Sequence, residues 1–204
     1  MIGIINYGAG NISAISNQLK HLKVDFKIIN VPNDFVNLNK VILPGVGAFD
    51  YCMKKLESSG LIEPLNKHVL IEKKDVLGIC VGMQLMAKSS EEGNHEGLGW
   101  FNAEVKKFNE DLIATKPKLP HMGWNSIKVV KENQLFKDVD TSYGFYFVHS
   151  YYFDTLEKDD IMTETFYGSD FTSSISKNNI FAVQFHPEKS HSNGIKFLRN
   201  FIDN

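Results

Sequence analysis

The first half of the chain alternates short apolar runs with stretches that are apolar on one helical face. The runs that predict strands are 2–5, 26–29, 41–43 and 76–79. The first helix has Asn11 as N-cap and an apolar face formed by Ile12, Ile15, Leu19 and Leu22. The second has an apolar face formed by Phe49, Met53 and Leu56, and a third helix is expected at 83–88. This alternation predicts an α/β fold with a parallel sheet covered on both faces, in which ligands bind beyond the carboxyl ends of the strands.

The second half, from Asn102 to about Phe185, changes to strand-like segments separated by turn signals. The predicted strands are 103–108, 126–130, 144–153, 161–166 and 180–185, and the predicted turns include 167–170 and 177–179. The pattern indicates a mostly antiparallel elaboration joined to the same core, and a closing helix is expected from about Ser192. Because no linker, low-complexity tract or repeat interrupts the chain, we expect one domain over residues 1–204.

Composition and charge narrow the range of functions. The 204 residues carry 22 Lys and Arg against 24 Asp and Glu, for a formal net charge of -2, and Arg199 is the only arginine. Reading of DNA sequence depends on bidentate arginine and phosphate binding depends on clustered positive charge, so we expect no nucleic-acid partner. No apolar run approaches the ~18 residues of a membrane span, and the N-terminus resembles a strand rather than a signal peptide. We therefore expect a cytoplasmic protein with no membrane contact.

Cys80 is the strongest candidate for chemistry. It lies between Gly78 and Gly82 at the expected junction of a strand and a helix, which is typical of a nucleophile elbow with cysteine in place of serine. Such a turn places the sulfur at a helix N-terminus, which favours the thiolate, and leaves the Val81 N–H to receive an oxyanion. The alternative is a buried small hydrophobic residue, which is the only interpretation that applies to Cys52.

His186 and Glu188 are the candidates for the base and its orienting carboxylate. An apolar strand delivers His186 to its end, and Glu188 is close enough to hydrogen-bond one ring nitrogen so that the other faces the sulfur. One alternative is a polar strand end with an exposed His and Glu. Another is a metal site that adds His191, which Pro187 disfavours because it prevents the regular helix that would align the three. With no CxxC motif either, we expect no metal and no cofactor.

Taken in order along the chain, these segments resemble the class I (triad) glutamine amidotransferases, and within them the glutaminase subunits of imidazole glycerol phosphate synthase. The motifs that carry the resemblance are Asn6-Tyr-Gly-Ala-Gly-Asn11, Leu43-Pro-Gly-Val-Gly47, Gly78-Ile-Cys-Val-Gly-Met-Gln84, Pro120-His-Met-Gly-Trp-Asn125, Val148-His-Ser-Tyr151 and Gln184-Phe-His-Pro-Glu-Lys-Ser190. Ala9 departs from it, since the first loop commonly has proline there. The resemblance covers nearly the whole chain and implies a flavodoxin-like α/β fold, with a mostly parallel central sheet flanked by helices and an added antiparallel β region.

The resemblance also implies a reaction. Cys80 would attack the side-chain amide of L-glutamine to form a glutamyl thioester and release ammonia, His186 would transfer protons, and Glu188 would hold His186. The oxyanion hole implied is formed by the backbone N–H groups of Val46, Gly47 and Val81. The glutamine-binding residues implied are Gly47, Gln84, Glu92, Ser150 and Tyr151, although Glu91 and Glu92 equally fit a solvated charge pair.

A partner follows from the same resemblance. Free ammonia is protonated in water, so such glutaminases pass it to a (β/α)8-barrel cyclase subunit, with which they form a heterodimer in histidine biosynthesis. The positions that match this contact are Asn11, Trp124, Tyr146 and Lys189, for which packing or a solvated surface lysine are the alternatives. Two other functions stay open at this point. One is the same glutaminase chemistry serving amidation of a nucleotide sugar or surface glycan, and the other is a catalytically silent binding subunit.

Overall fold

The computed structural model describes residues 1–204, and its strands form one eleven-stranded sheet and one separate pair. The strands are β1 Ile2–Ile5, β2 Phe26–Ile29, β3 Lys40–Gly45, β4 Asp75–Cys80, β5 Ser89–Ser90, β6 Ala103–Lys107, β7 His121–Asn125, β8 Lys128–Val129, β9 Phe145–His149, β10 Tyr151–Thr155, β11 Ile161–Tyr167, β12 Ser169–Lys177 and β13 Ile180–Val183. The α-helices are α1 Ile12–His21, α2 Phe49–Ser58, α3 Ile62–Asn66, α4 Val81–Gln84 and α5 His191–Asp203, and a π-helical turn, Lys67–Ile71, continues α3. Short 3-10 helices lie at Pro32–Phe35, Glu110–Leu112, Gln134–Phe136, Lys158–Asp160 and Pro187–Lys189.

The parallel part of the large sheet has the strand order β2-β1-β3-β4-β13. Each neighbouring pair in this series is parallel, and Gly45 at the end of β3 lies opposite Cys80 at the end of β4. The α1 helix that follows β1 begins as the sequence predicts, with the Asn11 side chain accepting a hydrogen bond from the Ala14 N–H at 3.3 Å. The prediction of a parallel α/β sheet is confirmed, and its carboxyl edge carries Cys80.

The antiparallel part extends the sheet from β13 through β12, β10 and β6, and β11 pairs with β12 and β8. The predicted antiparallel elaboration is therefore confirmed, but its boundaries differ from those expected. The strand expected at 126–130 is reduced to Lys128–Val129, and the one expected at 144–153 divides at Ser150 into β9 and β10. This division matters because β9 leaves the large sheet and pairs with β7.

The strand β12, Ser169–Lys177, was not predicted, since the sequence there is rich in serine and threonine and follows a strong turn signal. In the structure the hydroxyl side chains from Thr172 to Ser176 are buried, and two of them bond to a hydroxyl of the neighbouring strand β11. The Thr163 hydroxyl lies 2.8 Å from that of Ser173 and 2.7 Å from that of Ser174. Buried hydroxyls that find partners in this way cost little, so a polar strand occupies the middle of the sheet.

The helix expected at 83–88 is wrong. The α4 helix covers only Val81–Gln84, because the backbone carbonyls of 85–87 accept hydrogen bonds from N–H groups of 98–101 instead of from a further helical turn. No helix was predicted at 62–71, where α3 and the π-helical turn lie.

Fifty-two buried residues form one apolar cluster that runs through both halves of the chain. It includes Leu43 from the parallel half, Phe147 from β9 and Phe201 from α5, none of which is exposed to solvent. No helix combines the length and the apolar character needed to cross a bilayer. The single domain stays a prediction.

Candidate active site

Cys80 occupies the turn from β4 into α4 with φ 55° and ψ -114°, a backbone conformation that residues other than glycine rarely adopt. The glycines on either side are needed for packing. A methyl group at Gly82 would overlap the carbonyl oxygen of Leu43, and one at Gly78 would lie 2.7 Å from Met86 Cε. The local geometry therefore has the elbow form that the sequence predicts, with the sulfur at the carboxyl edge of the sheet.

His186 and Glu188 lie side by side beneath this turn. Nδ1 of His186 is 2.7 Å from Oε1 of Glu188, and the two residues are only 2% and 5% exposed. The backbone of His186 is held on both sides, since its N–H donates to the Tyr146 carbonyl at 2.9 Å and its carbonyl accepts from the Ser190 hydroxyl at 2.6 Å. Because both side chains are buried and paired, the alternative of an exposed polar strand end is wrong.

The charge state of His186 is set by three opposing influences. Burial lowers the pKa of His186, but the interactions with Cys80 and then with Glu188 outweigh burial and raise the pKa to about 10. Nδ1 is engaged by Glu188, and Nε2 has no nitrogen or oxygen partner in the chain, which leaves Nε2 for the Cys80 sulfur. An imidazolium at this place stabilises a neighbouring thiolate.

The turn after β3 presents two free N–H groups beside Cys80. The Pro44 carbonyl accepts a hydrogen bond from the Tyr7 hydroxyl at 2.7 Å, and the Val46 carbonyl accepts from the Cys52 thiol at 3.6 Å. Burial raises the pKa of Cys52 to about 11, so this cysteine remains a thiol and a donor. The N–H groups of Val46 and Gly47 donate to no group of the chain and are available to an oxyanion. Cys52 is buried as expected, but its contact with this turn was not predicted from the sequence.

A cavity of about 300 Å³ opens onto the Cys80 sulfur. It is lined by Val46, Gly47, Cys80, Val81, Gln84, Glu92, Pro120, Val148, His149, Ser150, Tyr151, His186 and Lys189. Every residue assigned to the oxyanion or to glutamine by the sequence analysis is among them. Two more open grooves of about 870 and 840 Å³ lie elsewhere, but neither contains a cysteine or histidine. The smaller cavity is the candidate site because the reactive groups converge there.

Two polar side chains of the cavity wall are held in place by neighbours. The Gln84 amide donates to the Tyr151 carbonyl and to the Gln184 side-chain oxygen, both at 3.0 Å. Glu92 is half-buried and accepts a hydrogen bond from the Phe49 N–H at 2.8 Å, and burial raises its pKa. The alternative in which Glu92 belongs to a solvated charge pair is therefore wrong.

Three of the four residues assigned to a partner contact lie together. Trp124 of β7 is directly opposite Tyr146 of β9, and Lys189 Nζ is 5.7 Å from the Tyr146 ring centroid. Trp124 is 39% exposed and stacks on His191 at 5.4 Å. Asn11 is separate from this group and caps α1.

The metal alternative finds no support in the arrangement of side chains. His191 faces Trp124, and no group of three or more His, Cys, Asp or Glu side chains converges anywhere in the chain.

Two residues next to the sulfur were not predicted from the sequence. Gln184 donates its side-chain amide toward the Cys80 sulfur at 3.7 Å, and His149 lines the cavity. Both stand inside motifs that carried the resemblance, but the spacing along the chain does not reveal what their side chains contact.

Comparison with known proteins agrees with this site. The family profile described as Glutamine amidotransferase class-I matches residues 3–204. The chain is 45% identical to imidazole glycerol phosphate synthase subunit HisH of Leptospira borgpetersenii, over 98% of each chain. It is 48% identical to subunit HisH 2 of Methanococcus maripaludis, over 99% of this chain and 98% of that one. A crystal structure of a glutamine amidotransferase superposes with a TM-score of 0.74 at 18% identity, covering 99% of this chain and 97% of that one, which shows the fold.

With this fold and this match along nearly its whole length, the chain belongs to the class I glutamine amidotransferases. The full-length identity of 45% and 48% places it more narrowly, in the family of the HisH subunits of imidazole glycerol phosphate synthase.

Proposed function

We propose that this chain is the glutaminase subunit of imidazole glycerol phosphate synthase. It hydrolyses L-glutamine to glutamate and ammonia and delivers the ammonia to a cyclase subunit. The observation that carries the proposal is the position of Cys80 on a strained elbow at the floor of the cavity, beside the buried His186–Glu188 pair. Membership in a family whose relatives are named as subunits of that synthase supports the choice of substrate and partner.

The reaction begins with attack of the Cys80 thiolate on the side-chain carbonyl carbon of glutamine. The oxyanion that forms is received by the free N–H groups of Val46 and Gly47 and by the N–H of Val81, which as the first residue of α4 has no intrahelical acceptor. Nε2 of His186 gives its proton to the departing nitrogen, and ammonia leaves as the thioester forms. His186 then takes a proton from water, which attacks the thioester and releases glutamate and the thiolate.

Glu188 takes part only through His186. Its carboxylate accepts a hydrogen bond from the Nδ1–H group, which keeps Nε2 directed at Cys80, and it stabilises the imidazolium.

The amino-acid end of glutamine meets the polar wall of the cavity. Glu92 supplies the negative charge for the substrate ammonium, while Gly47, Gln84, Ser150 and Tyr151 supply hydrogen-bonding groups for its carboxylate and ammonium. With Arg199 as the only arginine and absent from this cavity, no guanidinium takes part.

The partner is a (β/α)8-barrel cyclase subunit that forms a heterodimer with this chain and makes imidazole glycerol phosphate and AICAR in histidine biosynthesis. Trp124, Tyr146 and Lys189 form one exposed to half-buried patch next to the cavity, which suits a contact through which ammonia passes without meeting water. We assign Asn11 to the same partner contact, although it is separate from this patch. The residue before it, Gly10, packs against Pro44. We infer that the chain acts as one domain in the cytoplasm, without a metal or cofactor.

Synthesis by the complex from two nitrogen sources tests the proposal. Cys80→Ala should abolish product formation from glutamine, because no other thiol lines the cavity, and should leave synthesis from ammonium salts intact. Ser58→Ala, an exposed position at the end of α2, is the control. Glutamine-dependent synthesis that survives Cys80→Ala would refute the assignment.

A further inference from the structure

Two buried histidines outside the reacting group pair across the β7–β9 ribbon. His121 and His149 are opposite each other in register, and Nδ1 of His121 is 3.0 Å from Nε2 of His149. They are 4% and 7% exposed. Nδ1 of His149 is in turn 2.8 Å from the Tyr151 carbonyl oxygen, and Nε2 of His121 is 3.1 Å from the Asn125 amide nitrogen.

The groups at the two ends of this series of hydrogen bonds determine which atom donates in each one. A carbonyl can only accept, so His149 carries its proton on Nδ1 and donates to Tyr151. Burial lowers the pKa of His121 to about 4, and burial together with His121 lowers the pKa of His149 well below its usual range, so both rings are neutral. Nε2 of His149 is therefore an acceptor, His121 donates to it from Nδ1, and Asn125 donates to His121. Every ring nitrogen has one role.

The far end of this relay lies in the glutamine cavity. The Tyr151 carbonyl that accepts a hydrogen bond from His149 also accepts one from the Gln84 amide at 3.0 Å. Tyr151 and Gln84 both line the cavity. Gln84 continues to Gln184, which donates toward the Cys80 sulfur. His149 lines the cavity as well, whereas His121 does not. A change in the hydrogen bonding of His121 therefore reaches the cavity through His149.

We propose that His121 is a positioning residue that fixes the tautomer of His149 and thereby holds the Tyr151 carbonyl and Gln84 in the geometry that binds glutamine. This inference rests on the proposed glutaminase function. If the His121 N–H is removed, Nε2 of His149 loses its donor and the Tyr151 carbonyl alone selects the Nδ1 tautomer. His149 can then carry its proton on Nε2 for part of the time, which turns an Nδ1 lone pair toward that carbonyl. The Tyr151 carbonyl then loses one of its two donors, and affinity for glutamine falls.

Aromatic packing is the competing role for His121, and two substitutions separate it from hydrogen bonding. The His121 ring stacks on Tyr167 at 4.1 Å and on Phe147 at 4.9 Å. His121→Phe keeps a stacking ring and loses the donor, whereas His121→Asn loses the ring and keeps an amide N–H near the position of Nδ1.

The experiment measures KM and kcat for glutamine with the partner subunit bound. His121→Phe should raise KM about tenfold, the effect of losing one buried hydrogen bond, with kcat changed less, and His121→Asn should restore KM. His68→Phe, a buried histidine that packs on Phe35 outside the cavity, is the matched control. An unchanged KM in His121→Phe, or a larger rise in His121→Asn, would overturn the inference in favour of packing.

A second pair of variants decides the matter if His121→Phe does not fold. His149→Asn keeps a donor near Nδ1 for Tyr151, and His149→Gln keeps only a group near Nε2. The inference requires a higher KM in His149→Gln than in His149→Asn, and the reverse order contradicts it.

A wild-type complex that hydrolyses no glutamine would overturn the proposed function, and this inference with it. An active wild type with unaltered KM in these variants would overturn the inference alone.

Discussion

At Cys80 the backbone holds a side chain in a conformation that suits glycine, and such strain costs about 1–3 kcal/mol. The strain is sustained because β4 is paired on both sides, by β3 and β13, and α4 packs against the end of β3. The result is a sulfur fixed at the edge of the sheet, where the cavity opens onto it. Function and stability therefore oppose each other at this residue.

This opposition predicts an unusual order of stabilities. Cys80→Gly relieves the strain and should be more stable than Cys80→Ala by about 1–2 kcal/mol, although both are inactive with glutamine. At Lys54, an exposed position inside α2, the same comparison should have the opposite sign, with alanine more stable by about 1 kcal/mol. Urea unfolding of the four variants checks this. Equal stabilities for the two Cys80 variants would show that the elbow is not strained.

A second residue-scale prediction concerns Glu188. With the pKa of His186 raised to about 10, the imidazolium is present through neutral pH and is lost as the pH rises through that value. Glu188→Gln removes the charge that stabilises it, so the upper pH limit of the ion pair should move to lower pH. Turnover should fall about 10- to 10⁴-fold, the upper end being the effect of a wrong tautomer in a serine triad.

The measurement is the rate of Cys80 alkylation against pH in wild type and Glu188→Gln. Since the folded pKa of His186 lies above the unfolded value of about 6.5, the ion pair also stabilises the fold below about pH 6.5 and this contribution is lost toward pH 10. Identical alkylation profiles and undiminished turnover would mean that Glu188 is a bystander.

At the scale of elements, the site is made by the close approach of β3, β4 and α4. Gly82 lies against the Leu43 carbonyl, and the turn at Gly45 lies against the backbone of α4. These contacts leave no room for a side chain, so the three elements meet through backbone atoms. The position relative to Cys80 of the turn after β3, which carries the N–H groups of Val46 and Gly47, depends on this contact.

Gly82→Ala should therefore destabilise the fold by about 1–3 kcal/mol or more, as overpacking does, and lower turnover as well. Gly60→Ala is the control, since its added methyl group meets nothing within 4 Å and introduces only the strain of φ +70°. Thermal unfolding and glutamine hydrolysis of both variants check the prediction. A Gly82→Ala protein as stable and as active as Gly60→Ala would contradict it.

Local pattern was sufficient to predict the strands of the first half of the chain, because strands covered on both faces are apolar and bounded by turns. It failed at β12, where buried hydroxyls pair with one another, and at 83–88, where carbonyls bond to a distant loop. The same limit applies to the site. Cys80 and His186 stand in recognisable local settings, whereas the His121–His149 pair depends on strand pairing across 28 residues. Contacts of this kind are not visible in local periodicity.

At the scale of the whole molecule, the cavity and the exposed aromatic patch adjoin each other. The patch contains Trp124 and Tyr146, and Lys189 belongs both to it and to the cavity wall. A partner bound to this patch would contact Lys189, which directly follows Glu188 in the sequence. We therefore expect glutamine hydrolysis to be weak in the isolated chain and to rise when the liganded barrel partner binds.

Trp124→Ala should weaken association with the partner by about 2 kcal/mol or more, which is roughly 30-fold in Kd, because a partly exposed tryptophan near the centre of a contact is a typical hot spot. Leu156→Ala, which truncates a side chain that is 79% exposed elsewhere, is the control. Titration calorimetry measures both. Equal affinities for the two variants, or equal turnover with and without the partner, would contradict the proposed docking face.

The most direct test of the account is covalent trapping of the nucleophile. The complex is treated with an electrophilic glutamine analogue, with and without excess glutamine, and the modified residue is located by mass spectrometry of peptides. We predict a single adduct on Cys80, protection by glutamine, and loss of the adduct in His186→Ala, because the imidazolium that stabilises the thiolate is gone. Labelling of Cys52 instead of Cys80, or no glutamine-protected adduct with the partner present, would contradict it.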